Sequence, residues 1–501
     1  MSVASSPEFA ALQAGLAPAQ ALNKPGSTTP HVAVIVPSFG LHSTVLAHYA
    51  PLLAALEHRY LLPALMLRRI PSCEYVLITS HDPGDDVLDY YARLADPADP
   101  ADIRRRLHIA LVPDPSPRGV AEKLLDRPDL VAALKERIDG RSAILEPWNV
   151  TQAEVQLALQ LGTPLNGTSP DLWPLGFKSA GRKLFRDAGV PTPEGVEDVT
   201  DRDQIASAIA LIRRARPRLQ RVVVKQDNSV AGDGNFILPT QREGRRVPVD
   251  QLRESCLDGA PDWFANDLRA GGVVEEMVVA STVTSPSCQI TIGPDGSVAV
   301  LSTHEQVLGG ENGQVYTGCS FPADPAYAGV LAEQSLAIGQ QLAAAGALGR
   351  AGIDFVACRR RGRWQVFALE INLRRGGTTH PFSVLRHLVP GQYDAPAGVW
   401  RAEEGGSRCY HSSDGFKDPA WTGLKPGEAI AAVAEAGLEF DHATGTGVVL
   451  HMLNGLTVDG RMGVTAIGVD QAQARALYDG TRAAINAVTS PAAAGSARSR
   501  R

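Results

Sequence analysis

The sequence predicts an α/β protein whose central part becomes α+β, and three observations carry that expectation. Short β-branched apolar runs alternate with amphipathic stretches over roughly the first 170 residues, the pattern of a parallel sheet with crossover helices. Two hairpins follow, RVVVKQ with NFIL across a glycine-bearing turn and GIDFVA with VFALEINL across RRRG. After about residue 393 the texture changes to a linker-like DAPAGVWRAEEGGSR, then to more strand patterns.

Residues 1–30, rich in Ala, Ser and Pro, are expected to be a flexible arm. In 31–167, HVAVIVP, EYVLIT, HIALV and the run from Ser142 read as buried strands, with helices over 43–60 and 151–162. In 168–392, a helix ends at Gly189 and another spans 200–216. The hairpin 221–238, the strands of 273–309, a long helix over 326–346 and the hairpin 351–373 complete that part. In 393–488, strands at 409–416, 447–453 and 461–469 precede a closing helix, and 489–501 reads as a disordered tail.

Length and charge narrow the classes. The 501 residues suggest about three domains of roughly 150 residues each. Forty-eight basic residues against 54 acidic ones give a net charge of -6, which argues against a nucleic-acid surface. Six scattered cysteines without a CxxC fit a reducing compartment rather than a disulfide framework. No apolar stretch is long enough for a membrane span and no basic n-region opens the chain, so the cytoplasm is the default expectation. The sequence has no GxxxxGK[ST], no GxGxxG after a strand, no HExxH and no GxSxG. P-loop enzymes, dinucleotide Rossmann proteins, zincins and α/β-hydrolases are therefore disfavoured.

Four elements carry chemistry. In VVVKQDNSVAGDGNFIL (222–238), Lys225 points to the face opposite Val222 and Val224. The loop from Asn228 and Ser229 to Asn235 holds Gly232 and Gly234, which let backbone amides approach an anion. Taken alone, the same pattern also fits a surface hairpin with an exposed lysine. Asp354, Glu370 and Asn372 lie in strongly apolar strands, where unpaired carboxylates are costly. Glu370 and Asn372 leave the same strand face, and such hard oxygens suit a magnesium ion; a polar stripe on a half-exposed sheet is the alternative. In LRRGGTTHP, Arg374 can neutralise developing negative charge, while Arg375 is expected to be solvated and His380 structural. In VVEEMV, Glu275 and Glu276 point to opposite faces, so one faces a cleft if the other faces solvent, with Met277 next; an ordinary strand is the alternative.

In this order the elements resemble the ATP-grasp superfamily. The phrases LGTPLNGTSPDLWPLGFKSAGRKLF, SPSCQITIGPDGSVAVLSTHEQVLGG, YTGCSFPAD and EINLRRGGTTHPF are most similar to the pheganomycin-type peptide ligases. That resemblance implies an N-terminal α/β pre-ATP-grasp domain (31–167), an ATP-grasp core of two α+β subdomains (168–392, lid about 190–274) and a small C-terminal α+β domain. It implies a carboxylate–amine ligase working through an acyl phosphate and releasing ADP and phosphate. It implies ATP and Mg2+, with Mn2+ as a substitute. Lys178, Lys225, Asn228, Ser229, Gly232, Gly234, Asn235, Glu275, Glu276 and Met277 would bind the nucleotide. Asp354, Glu370 and Asn372 would hold the metal, and Arg374 would be catalytic. The expected partners are small carboxylates and amines or peptides, with neither nucleic acid nor membrane; a homo-oligomer is compatible with the sequence. The rival readings are a carboxylate–thiol ligase, a kinase or a non-catalytic ATP-binding module. His304, Glu305 and Cys319 are further candidates for the substrate pockets.

Overall fold

Strands His31–Val36, Cys73–Thr79, Leu107–Leu111 and Ser142–Pro147 pair in parallel, in the spatial order third, second, first, fourth. The first is buried along its whole length, which is why it reads as an unbroken apolar run rather than an alternating one. The computed structural model describes residues 2–40, 43–229, 234–309 and 315–489.

Two features of this layer depart from expectation. The described part of the expected arm, residues 2–30, is not loose. Helices Pro7–Gln13 and Leu16–Leu22 pack on the sheet, with Phe9, Leu16 and Ala19 buried. The Gln13 side chain donates to Leu165 O at 2.9 Å and accepts from Leu165 N at 2.7 Å, as a strand neighbour would. Apolar residues spaced through an Ala-rich stretch supply enough buried surface to order it. The expected helix over 43–60 is broken. Pro51 and Pro63 each remove a backbone donor, and the chain winds through the 3₁₀ turns Ala50–Leu52 and Arg59–Arg68.

The lid sheet orders Gly195–Val196, Gly272–Glu276, Arg221–Gln226 and Asn235–Pro239. Its inner face buries Val222 and Val224 against Ile205 and Ile209 of helix Arg202–Ala215. The short ribbon Gln241–Arg242 with Arg245–Arg246 and an eleven-stranded sheet form the rest of the described strands. The long sheet's hairpin Gly349–Arg360 with Arg363–Asn372 stacks Ile353 and Phe355 with Leu331 and Ile338 of helix Pro325–Ala344.

This sheet does not stop at residue 393. Phe321 pairs with Tyr410, so strand Val315–Phe321 hands the sheet on to Ser407–Lys417 and then to Arg461–Gly468 and Gly447–His451. The stretch expected to be a linker instead forms strands Gly391–Asp394 and Val399–Ala402. Tyr393 and Trp400 anchor it, with ring centroids 5.2 Å from Phe321 and 5.9 Å from Phe382. Helix Gln471–Thr489 closes the described chain, and 490–501 of the expected tail lie outside the described residues. Among the described residues no helix is long and apolar enough to cross a membrane.

Leu16→Ala is expected to destabilise the chain by about 2–5 kcal/mol, read as a lower denaturant midpoint. An unchanged midpoint would mean that the N-terminal helices do not contribute to the core.

Candidate active site

A crevice of about 1090 Å³ opens where the three sheets converge. Phe39 and Trp148 line it from the parallel sheet, Val223 and Lys225 from the lid, Asp354 and Glu370 from the long sheet, and Asp414 and Met452 from the C-terminal strands.

The lid wall is built from charges. Lys225 is 8% exposed and faces away from the valines beside it, as the alternation requires. Its ammonium pairs with Glu275. Arg182, on helix Lys178–Asp187, reaches the other oxygen of Glu275 at 2.9 Å and Glu197 at 3.1 Å. These buried charges persist because each meets its opposite. Glu276 takes the other face of the strand, but neither glutamate reaches solvent: Glu275 and Glu276 are 3% and 6% exposed. Arg216 meets Glu276 at 3.0 Å, so arginines from flanking segments cover both faces. The Met277 N–H donates to Arg221 O at 3.1 Å, and its side of the strand continues the crevice wall to Val278.

Lys178 begins its helix and stands behind the carboxylate wall, with Nζ 2.8 Å from Ser229 Oγ and 3.4 Å from Glu370 Oε1. Asn228 and Ser229 line a small side pocket with Glu370, Asn372 and Arg374. A Cβ on Gly234 would sit 2.3 Å from Ser229 Oγ, so a larger residue there would displace Ser229. Asn235 lies opposite Lys225 in the lid hairpin and lines the crevice. Gly232 lies outside the described residues.

Asp354 and Glu370 are direct cross-strand partners, and the register shifts immediately after Asp354. Asp354 Oδ1 accepts from Gln306 Nε2 and Oδ2 from Asn372 Nδ2, both at 2.9 Å. Burial, then the adjacent Glu370 charge, push the Asp354 carboxyl up to about 7. Two carboxylates and an amide oxygen on one half-buried wall form a hard-oxygen donor set that fits a divalent ion such as Mg2+. No group of three or more His, Cys, Asp or Glu suited to a metal occurs among the described residues, so the amide is integral to this set. Gln306 was not anticipated. It reaches Asp354 across the intervening strand Pro286–Ile292, and nothing in its local sequence distinguishes it from an exposed strand residue.

Arg374 lies over the Trp148 ring, 5.1 Å from its centroid. Burial pulls its guanidinium below the usual arginine range, against the attraction of Glu370 and Asp354. Arg375 is not solvated. It forms a buried ion pair with Glu146, and its N–H donates to Trp148 O at 3.0 Å. The loop after Asn372 turns into the parallel-sheet domain, which carries Arg375 to the end of strand Ser142–Pro147. His380 packs on Tyr60 with centroids 4.6 Å apart. His304 Nε2 lies 2.7 Å from the Tyr410 hydroxyl, and burial pushes its imidazole down to about 3. Cys319 is buried, whereas Glu305 lines the crevice.

Over 410 residues the chain is 30% identical to the L-propargylglycine–L-glutamate ligase of Streptantibioticus cattleyicolor, covering 80% of this chain and 83% of that protein. It is 24% identical to IQ motif-containing protein H of Danio rerio over 341 residues, 58% of this chain and 32% of that one. The family model described as IQCH-like, ATP-grasp matches residues 252–395, and that of the PGM1 C-terminal domain matches 428–481. Among solved structures, Campylobacter jejuni biotin carboxylase superposes with a TM-score of 0.55 at 12% identity, covering 93% of this chain and 96% of that one. Staphylococcus aureus N5-carboxyaminoimidazole synthetase superposes at 0.50 and 13% identity, covering 90% and 97%. At such identities the likeness is one of fold.

A proton and a metal ion should compete for Asp354. Its carboxyl is raised on folding, so the neutral form adds stability at low pH that is lost as pH rises from about 4 through about 7. Mg2+ should therefore raise the unfolding temperature at pH 8 far more than at pH 5, with apparent affinity falling about tenfold per unit below pH 7. Asp354→Asn should remove both the metal response and its pH dependence.

Proposed function

Because the chain belongs to the ATP-grasp carboxylate–amine ligases, which form amides at the expense of ATP, we propose that it joins two amino acids. One supplies the carboxylate and the other the amine. The observation that supports this reading best is the facing pair Asp354 and Glu370, set in the same crevice as Lys225. The relative is named for joining two amino acids, L-propargylglycine and L-glutamate.

Asp354, Glu370 and the Asn372 amide oxygen would hold Mg2+, or Mn2+ in the same oxygen set, and the ion would screen the charge of the ATP phosphates there. Lys225 would turn from Glu275 toward a phosphate, leaving Glu275 compensated by Arg182 at 2.9 Å. Lys178 steadies Glu370 from behind and sits close enough to share a phosphate oxygen. Asn228, Ser229, Gly232, Gly234 and Asn235 would close over the phosphates, and the segment Glu275–Met277 would border the adenine.

A substrate carboxylate oxygen attacks the γ-phosphorus, ADP leaves, and an acyl phosphate forms. The amine nitrogen then attacks the acyl carbon; the C–O bond to phosphate breaks and the nitrogen gives up its proton. Arg374, fixed over Trp148, directs its N–H fork at the oxyanion that develops in each step. The latch between Arg375 and Glu146 keeps that guanidinium from swinging away.

L-glutamate and a panel of apolar amino acids, supplied in pairs with ATP and Mg2+, should yield ADP, phosphate and a condensed product by mass spectrometry. Hydroxylamine in place of the amine should give a hydroxamate, whereas a stable phosphorylated product would indicate a kinase. Arg374→Met should lower kcat by about a hundredfold to a thousandfold and leave nucleotide affinity nearly unchanged.

A further inference from the structure

One wall of the crevice carries none of the residues assigned above to ATP. Lys417 and Arg461 stand directly opposite each other on antiparallel strands, and both line the crevice. Like charges opposed across a strand pair repel, and although water screens the exposed Lys417, an anion against the pair would relieve that repulsion. Arg461 pairs with Asp459 at 3.1 Å, yet its Nε is buried without a hydrogen-bond partner. Lys417 forms no ion pair among the described residues, whereas the crevice-lining Arg59, Arg461 and Lys225 meet Asp414, Asp459 and Glu275.

Arg59 borders the same wall from the N-terminal domain. It is 7% exposed, and its NH1 lies 2.5 Å from Asp414 Oδ2. The other oxygen of Asp414 accepts from His451 Nε2 at 2.8 Å. Asp414 is thus already shared, while Arg59 Nε is a second buried donor without a partner. Three cations here meet only two carboxylates, and Leu53, Leu56 and Met452 beside them keep the wall partly apolar, which strengthens attraction for an anion. The crevice, at about 1090 Å³, also exceeds the roughly 300–1,000 Å³ of a single-ligand pocket.

We propose that Lys417, Arg461 and Arg59 form a carboxylate-binding subsite for a substrate carboxylate other than the one activated by ATP. The inference rests on the ligase reading: when two amino acids are joined, at least one carboxylate stays free. That group can belong to the amine partner or be the second carboxylate of a dicarboxylic donor. Captured here, it would orient its owner so that the reacting group faces Arg374.

The test is calorimetric titration of the full chain, holding Mg2+ and a non-hydrolysable ATP analogue, with L-glutamate, L-isoglutamine and L-glutamine. In each amide one carboxylate of glutamate has become neutral. One of the two amides should bind on the order of tenfold to a hundredfold more weakly than L-glutamate, and which one it is identifies the captured carboxylate. Lys417→Met and Arg461→Met should weaken L-glutamate by a similar factor and leave that amide unaffected. Lys417→Met should not lower the unfolding temperature, since it relieves a like-charge pair without breaking an ion pair. Equal binding of all three compounds, no binding of L-glutamate, or the same loss for acid and amide in the variants would overturn the subsite. Failure of the ligase reading is separable, because it appears as no ADP release with any acid–amine pair.

Discussion

Two carboxylates, Asp354 and Glu370, face each other across a hairpin inside an otherwise apolar sheet, and the rest of the site is arranged around that repulsion. Burial first, and the facing charge second, favour the neutral form of one member, and the raised Asp354 carboxyl is that response. The surroundings temper it without cancelling it. Gln306 and Asn372 donate to Asp354, Lys178 stands beside Glu370, and Arg374 attracts both. What remains is a concentrated negative wall with a place for a cation, in a crevice whose lid carries a lysine of its own.

Holding that wall against the other domains requires specific latches. Arg375 ties the loop after Asn372 to Glu146, and the Asn166 side chain fixes the same carboxylate at 2.9 Å. The neighbouring Arg374 is therefore placed by contacts in a domain more than 200 residues earlier in the chain, where Trp148 supplies the surface under it. Gly377 has a similar constraint: a Cβ there would come within 2.5 Å of the Tyr316 ring. The Arg-Arg-Gly-Gly run joins the parallel-sheet domain to the long sheet and leaves little freedom for the group that would meet the reacting oxygens.

The long sheet performs a second integration. Because Val315–Phe321 pairs onward with Ser407–Lys417, the C-terminal strands are continuous with the sheet that bears Asp354. The Lys417 and Arg461 wall is consequently held rigidly to the same framework as the carboxylate pair. Two subsites on one sheet can keep a fixed separation, which positioning of two reactants demands.

Residues whose local pattern conflicts with their chemistry were legible in the sequence. Lys225 among valines, Asp354 and Glu370 among apolar strand residues, and the alternation that sets their faces all follow from the two-residue period of a strand and the cost of burying charge. The four parallel strands and both hairpins were legible for the same reason. Tertiary structure alone decided which distant charges meet. Arg182 with Glu275, Arg375 with Glu146, Gln306 with Asp354 and Lys417 with Arg461 are pairings across sheets or strands, and no local spacing encodes them. It also decided that residues 2–30 are ordered and that the stretch after 393 is sheet, because a few buried side chains, Leu16 and Trp400 among them, find surfaces that only the folded chain presents. Burial energy depends on what lies opposite, and a sequence read along its length does not contain the opposite wall.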